Sequence, residues 1–155
     1  MQPDTPRLHY LLHSADLVED QIARQLAPLG IKPRQARILD ALGRMGRASQ
    51  VELAREFDVS RASMSTMTAR LLAAGFISRE ADPDDPRSNT LSLSEKGEKS
   101  LRQIHSAWLA VDDIIGKAIG ADKAAELAKV ALELRNALGG RTPGRLPSQD
   151  DAKPE

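Results

Sequence analysis

The 155-residue chain contains no cysteine, and its aromatic residues are limited to two Phe, one Tyr and one Trp. Without cysteine the chain can form no disulfide bond and offers no thiolate to a metal ion. With so few aromatic rings, the core must be built mainly from Leu, Ile, Ala and Met. A run of 18 apolar residues and a signal-peptide pattern are also missing, so we expect one ordinary domain that works in the cytoplasm.

The sequence also lacks the motifs of common enzyme classes. It has no nucleophile elbow, no phosphate-binding loop and no His-Glu zinc helix. Asp112 and Asp113 are adjacent in a helical pattern, where a surface or interface role is favoured over catalysis. His9 and His13 are four residues apart and could hold a metal on one helix face, but the third histidine is the distant His105. We therefore expect no enzymatic activity, no cofactor and no metal site.

Positive and negative charges balance, with 22 Lys and Arg against 22 Asp and Glu. Residues 32–102 carry 13 basic and 10 acidic residues, and the rest of the chain carries 9 and 12. This is a mild bias and not a basic patch. A chain of this kind that binds nucleic acid must rely on a few placed cations and on helix N-termini. Binding should still weaken steeply with salt, because each neutralised phosphate releases counterions.

Residues 49–59 have the pattern of a short capped helix followed by a tight turn. Ser49 can cap the helix, and Glu52 three residues later completes a reciprocal capping box. Small Ala54 lies where a second helix would cross closely. The chain must then reverse within three or four residues, as in a helix-turn-helix. Asp58 stands where such a turn needs a positive φ, which Asp tolerates better than most residues.

A second helix is predicted after Ser60, whose hydroxyl can cap it. One face is apolar and consists of Met64, Met67, Leu71 and Leu72. The opposite face is small, polar and basic and consists of Arg61, Ser65, Thr66, Ala69 and Arg70. Such a face can enter a DNA major groove, where Arg reads guanine and Ser or Thr reads several base edges. The alternative is a solvated amphipathic helix, which the neighbouring helix, turn and wing disfavour.

The segment after this helix is typical of a two-stranded wing. Gly75 ends the helix as a C′ glycine does. Residues 76–80 and 89–93 are short strand-like runs, and residues 82–88 between them are rich in turn formers. The sequence therefore predicts a winged helix-turn-helix that reads DNA.

The tip of the predicted wing carries one arginine among several acids. Arg87, stiffened by Pro86, suits insertion into a narrow minor groove. Asp85 could hold the Arg87 guanidinium through a charge-assisted hydrogen bond. Asp82 and Asp84 are expected only to keep the hairpin soluble. The candidate DNA contacts are Ser60, Arg61, Ser63, Ser65, Thr66, Arg70, Asp85 and Arg87.

Together these features resemble the MarR family of transcriptional regulators. The resemblance is carried by the helix at residues 60–72, its exit at 75–77, the Asp85-x-Arg87 wing tip and residues 93–97, and it covers roughly residues 8–139. The family typically has Thr where Ser94 stands, and serine keeps the hydroxyl cap. Pro86 is a less usual residue between Asp85 and Arg87.

The resemblance implies an obligate homodimer with one winged helix-turn-helix in each protomer. It implies binding to a pseudo-palindromic double-stranded operator, usually as a repressor that a small molecule releases. Some members sense peroxides through a reactive thiol, which this chain lacks. The alternative function is a winged-helix module that binds protein, but such a module would show apolar or acidic residues where this helix shows Arg61, Ser65, Thr66 and Arg70.

Long apolar stripes flank the winged unit. They contain Leu8, Leu11, Ala15, Val18, Ile22 and Leu29 before it, and Leu101, Ile104, Trp108, Val111, Ile115, Ala118, Leu127, Ala131, Leu134 and Leu138 after it. We interpret residues 1–31 and 95–139 as dimerisation helices around a DNA-binding unit at 32–94, with a monomeric bundle as the alternative. Residues 140–155 are predicted to be a disordered tail. The fold class is mainly α with a small β-hairpin wing.

In proteins of this family an effector pocket lies between the first, second and fifth helices and the winged unit. By that resemblance the candidate ligand contacts are Tyr10, His13, Leu17, Ile38, Arg79 and Trp108. Arg79 matches a position that meets anionic aromatic ligands in some relatives, which suggests a phenolic acid or its coenzyme A thioester. The alternatives are a dimer-core role for Trp108, and a phosphate contact or salt bridge for Arg79.

Overall fold

The computed structural model describes residues 6–144. Over this range the chain forms six α-helices, which are α1 Leu8–Leu26, α2 Pro33–Met45, α3 Gln50–Glu56, α4 Arg61–Ala73, α5 Glu95–Ile119 and α6 Ala121–Ala137. A short 3-10 helix, Ala27–Leu29, follows α1. Three strands complete the fold, namely β1 Arg47–Ala48, β2 Ile77–Ala81 and β3 Asn89–Leu93. The predicted class, mainly α with a small β wing, is confirmed.

The wing belongs to a three-stranded antiparallel sheet in the order β1-β3-β2. β2 and β3 form the predicted hairpin, in which Ile77 faces Leu93 and Ala81 faces Asn89. The first strand begins one residue later than predicted, because Phe76 takes part in the turn that ends α4. β1 was not predicted, since a two-residue strand has no alternation to detect. It joins the sheet by pairing Ala48 with Leu91, and both side chains are buried.

Local signals explain where the helices of the winged unit start and stop. The Ser49–Glu52 capping box forms, with Ser49 Oγ accepting from the Glu52 N–H at 3.1 Å. Asp58 adopts a φ of +51°, as its place in the turn predicted. Gly75 has a φ of +78°, and Phe76 N–H donates to the carbonyl of Leu71 at 3.0 Å, which is a Schellman ending for α4.

The core lies where α2, α3, α4 and α5 meet over the sheet. Its large side chains are fully buried and include Leu39, Leu42, Leu53, Met64, Leu71, Leu91 and Ile104. Each contributes about 1.5–3 kcal/mol by leaving water. The apolar face predicted for the second helix of the winged unit is confirmed, because Met64 and Leu71 are buried and Met67 and Leu72 pack partly against them.

The flanking helices bury much less. α6 has no buried residue, and Leu127, Val130, Leu132, Leu134 and Leu138 are each at least 41% exposed. The first half of α1 is similar, with Leu8, Tyr10, Leu11, Leu12 and Leu17 exposed by half or more. Between residues 6 and 144, no helix has the length and apolar content needed to cross a membrane.

Residues 140–144 differ from the prediction of a disordered tail that begins at residue 140. They turn back after α6 and contact α2 and α3, with Gly144 N–H donating to the Glu56 carboxylate at 2.9 Å. A tail prediction from composition alone misses such contacts, because their partners are some 88 residues away in the chain. The rest of the predicted tail, residues 145–155, lies outside the described residues.

Candidate nucleic-acid interface

The outward face of α4 is exposed and polar. Its side chains, which we call the recognition face, are Arg61, Ser65, Thr66, Ala69 and Arg70, and all five are exposed. Within residues 6–144, neither the Arg61 nor the Arg70 guanidinium takes part in an ion pair or a hydrogen bond. Two unpaired guanidinium groups beside small hydroxyls can approach a base edge or a phosphate without first breaking an internal contact.

The first turn of α4 orients two of the predicted contacts. Ser60 Oγ accepts from the Ser63 N–H at 3.1 Å and lies 3.0 Å from the Ser63 hydroxyl, so both side chains form the cap. Thr66 donates its hydroxyl to the carbonyl of Ala62 at 3.1 Å. Its hydroxyl proton is therefore used within the helix, and toward a bound molecule Thr66 offers an oxygen acceptor.

The wing tip is held by hydrogen bonds between backbone and aspartate side chains. Asp85 Oδ1 accepts from the Arg87 N–H at 3.0 Å, and its carbonyl accepts from the Ser88 N–H at 3.0 Å. Asp82 Oδ1 accepts from the Asp84 N–H at 2.9 Å. These are Asx-type turns, which fix the loop without using a guanidinium.

Two expectations about the wing are therefore corrected. Asp85 positions Arg87 through its backbone N–H, because the turn geometry brings that N–H and not the guanidinium to the carboxylate. Asp82 is a turn-forming residue as well as a solubilising one, because its carboxylate closes the first bend. The Arg87 side chain itself is exposed, and among the described residues it makes no ion pair.

Residues behind the recognition face hold α4 in place. Thr68 is fully buried, donates to the carbonyl of Met64 at 2.9 Å and accepts from the Gln50 side-chain amide at 3.0 Å. This link ties α4 to the first turn of α3. Sequence reasoning missed it, since a threonine on an otherwise apolar face shows no partner in the sequence.

The end of α4 is fastened to the start of α5. Ser94 caps α5, as predicted, and its hydroxyl also donates to the Gly75 carbonyl at 2.5 Å. Lys96 donates to the Ala74 carbonyl at 2.7 Å and lies 4.3 Å from the Phe76 ring centroid. A Cβ at Gly97 would lie 2.0 Å from the Phe76 carbonyl, so only glycine permits this approach.

A cavity of about 600 Å³ lies between α1, α2, α5 and the chain beyond α6. Its apolar wall includes Val18, Ile22, Trp108, Val111 and Ile115, and its charged groups include Glu19, Arg37, Asp40, Arg44, Asp112, Arg135 and Arg141. This volume falls in the range of small-molecule sites, roughly 300–1,000 Å³.

Only some of the predicted ligand contacts lie near this cavity. Trp108 lines it, and Ile38 lines a smaller neighbouring cavity of about 190 Å³. Tyr10, His13, Leu17 and Arg79 line neither. They are exposed, Arg79 on β2 and the other three on the outer part of α1. The arginines that do line the cavity, Arg37, Arg44, Arg135 and Arg141, come from α2, α6 and the chain after α6.

Comparison with known proteins agrees with this geometry. Residues 29–88 match the sequence model of the MarR family. The chain is also 28% identical over 96 residues to the multiple antibiotic resistance protein MarR of Salmonella typhimurium. The aligned segment covers 61% of this chain and 67% of the relative. Residues 29–88 therefore carry the sequence pattern of the MarR family.

Solved MarR-family structures share the fold well beyond the winged unit. The reduced form of MarR from E. coli superposes with a TM-score of 0.76 at 21% identity, covering 84% of this chain and 96% of that chain. The transcriptional repressor CouR, bound to a 23-mer DNA duplex, superposes with a TM-score of 0.73 at 26% identity, covering 82% and 91%. In this shared fold, α4 stands where the second helix of the helix-turn-helix stands, and the β2–β3 hairpin stands where the wing stands.

Proposed function

We propose that this protein is a MarR-type homodimeric repressor that binds a pseudo-palindromic operator and releases it when a small molecule binds. The observation that carries the proposal is the recognition face, where Arg61 and Arg70 are exposed and unpaired beside the exposed hydroxyls of Ser65 and Thr66. Arg87 projects from the wing on the same unit. A face built for protein contact would instead carry exposed apolar side chains.

Within the proposed complex, each predicted contact has a role that follows from its chemistry. Arg61 and Arg70 bind guanine edges or phosphates in the major groove, and Ser65 and Thr66 accept or donate at base edges. Ser60 and Ser63 lie at the N-terminus of α4, which favours a phosphate. Asp85 orients the wing, and Arg87 enters the minor groove, where the potential is most negative.

A second copy of the chain is the proposed partner of the flanking helices. α6 buries no side chain within the chain, and the first half of α1 exposes five large apolar residues. Monomeric proteins seldom leave so many large apolar side chains of two helices in water. In a dimer these faces cover each other, and the two recognition helices reach successive major grooves about 34–36 Å apart.

We propose that the cavity of about 600 Å³ between α1, α2, α5 and the chain beyond α6 is the effector site, and it suits a ligand with an apolar body and an anionic group. Its wall is apolar around Trp108. Arg37 has no ion pair within residues 6–144, and its guanidinium lies 5.9 Å from the Phe57 ring centroid. A phenolic acid or its coenzyme A thioester remains our choice of ligand class. Such a ligand lowers operator affinity only to the extent that it prefers a dimer shape with the wrong spacing between recognition helices.

The test is selection of bound duplexes from a random pool at moderate salt, followed by sequencing. The expected result is an inverted repeat with half-sites one helical turn apart. A protein that binds such a site works in the cytoplasm, where the DNA is. Weak, salt-sensitive binding without an enriched motif would contradict the proposal and favour the alternative, a winged-helix module that binds protein. Phenolic acids added to the enriched duplex then test the effector.

A further inference from the structure

The chain reverses direction at the end of α6 and returns to the winged unit. Gly140 N–H donates to the Arg135 carbonyl at 2.8 Å and Gly139 N–H to the Asn136 carbonyl at 3.0 Å. Gly139 has a φ of +79°, so this is a Schellman turn that needs glycine. The turn directs residues 139–144, which we call the strap, toward α2 and α3.

Four hydrogen bonds join the strap to α2 and α3. Gly144 N–H donates to one oxygen of the Glu56 carboxylate at 2.9 Å, and the Arg141 guanidinium lies 3.4 Å from the other. Arg141 also donates to the carbonyl of Arg55 at 3.2 Å. From α2, the Arg44 guanidinium donates to the carbonyl of Pro143. Glu56 thus receives both a side chain and a backbone N–H of the strap.

The strap also fits closely against α2. Gly144 has a φ of +73°, and a Cβ there would lie 3.0 Å from Met45 Cγ and 3.2 Å from the Ala41 carbonyl. A larger residue would be strained by its conformation and would crowd α2. Thr142 and Pro143 are partly buried in the same place. Shape and hydrogen bonds therefore agree that this segment packs on α2 and α3.

The position of Glu56 gives these contacts a consequence for DNA reading. Glu56 is the last residue of α3, and residues 57–60 lead from it into α4. The strap therefore connects α6 to the turn that precedes the recognition helix, while every residue of the recognition face stays exposed. A single half-exposed ion pair contributes little, but four bonds and a close fit act together.

We propose that the strap fixes the angle between α6 and the recognition helix, with Glu56 and Arg141 as positioning residues. The inference rests on the proposed function, in which α6 belongs to the dimer interface. In such a dimer, a restraint on this angle sets the distance between the two recognition helices. The strap then determines how strictly the protein discriminates between operators with different half-site spacings.

Two substitutions in the full chain test the strap, Glu56→Ala and Arg141→Ala. Affinity is measured for the selected operator and for versions with one base pair added or removed between the half-sites. The matched control is Glu126→Ala, which removes an exposed carboxylate from α6. The spacing preference is the ratio of the affinity for the selected operator to the affinity for the altered versions. It should fall about threefold or more in each strap variant and little further in the double variant, because both substitutions break one linkage.

Net charge cannot produce this result. Glu56→Ala removes a negative charge and by itself favours DNA, whereas Arg141→Ala removes a positive charge and disfavours it. A shared loss of spacing preference in both variants therefore reports the contact between them. Gly144→Ala serves as a second kind of variant, because it disturbs the strap without substituting any charged residue or any residue of α3. It should lose spacing preference as well.

Two outcomes would overturn the inference about the strap, and a third would overturn the proposed function together with it. Strap variants that keep the spacing preference of the unaltered protein would show that the strap does not position the recognition helix. Tighter operator binding than in the Glu126→Ala control would show that it holds the helix away from its DNA-bound position. If the unaltered protein prefers no spacing at all, the proposed dimeric operator binding fails together with the strap.

Discussion

The winged unit and the flanking helices solve the problem of burial in different ways. In the winged unit, Leu53, Met64, Leu71 and Leu91 are fully buried by residues of the same chain, and even buried Thr68 has its hydrogen-bond partners. In α6, no residue is buried. One region buries its apolar side chains within a single chain, and the other leaves them exposed. In the proposed dimer, the first region binds DNA and the second sets the distance between the two recognition helices.

The largest effect is expected from placing a charge on the unpartnered face, by Leu134→Glu in α6. If α6 lies in a dimer interface, this substitution leaves an unpaired carboxylate there, which costs several kcal/mol. Operator affinity should fall on the order of 100-fold while the winged unit stays folded. Light scattering reports the dimer, circular dichroism the fold and a duplex-binding assay the affinity.

Ala125→Glu is the matched control for this substitution, because Ala125 is an exposed residue on the opposite side of α6 and the change also adds one negative charge. A dimer that survives Leu134→Glu at micromolar concentration would mean that this face of α6 is covered by something other than a second copy.

The next effect concerns the core of the winged unit. Leu71→Ala should lower the free energy of unfolding by about 2–5 kcal/mol, because it opens a cavity in a fully packed site. Leu127→Ala in α6 should destabilise in a manner that depends on protein concentration, since in the proposed dimer its contacts come from the partner. Denaturant titrations at two protein concentrations separate these cases. The same concentration dependence for both variants would remove the contrast between the two regions.

A smaller effect is expected at the wing. Arg87→Ala should weaken operator binding by about 1–3 kcal/mol with an unchanged dimer and fold, because one minor-groove contact is lost. Asp84→Ala, at a neighbouring exposed position, is the control for changes in the tip. Unchanged affinity for the Arg87 variant in a fluorescence titration would exclude the wing from the reading surface.

The smallest effect concerns specificity within α4. Arg61→Ala should reduce the ratio of operator affinity to random-duplex affinity. The substitution removes a contact to a base edge, which only the operator provides, and not a phosphate contact, which both duplexes provide. Competition titrations with random duplex measure this ratio. Equal losses on both DNAs would identify Arg61 as a phosphate contact, and the salt dependence would then fall by about one counterion.

What the sequence predicts well is set by interactions between near neighbours. The Ser49–Glu52 box, the positive φ of Asp58, the cap at Ser60 and the Gly75 ending all depend on residues within a few positions of each other. Their side chains and backbone conformations carry the signal directly. This is why the winged unit and the exposed recognition face follow from the sequence in detail.

What the sequence misses depends on distant partners. β1 exists because Ala48 meets Leu91, and the Thr68 hydroxyl is satisfied by Gln50 in another helix. The strap reaches Glu56 from the far end of the chain. The predicted ligand contacts rest on a family resemblance, which does not specify the side chains that line this particular cavity. Gly139 and Gly144 carry the one signal that could have indicated an ordered turn after α6.

The most direct test of two linked reading units is a half-turn insertion in the selected operator. Five base pairs, about half of one helical turn, are added between the half-sites, which moves one of them to the opposite face of the duplex. The proposed dimer predicts that affinity falls to the level of a duplex with a single half-site. Affinity equal to that of the original operator would contradict binding by a dimer with a fixed distance between its recognition helices.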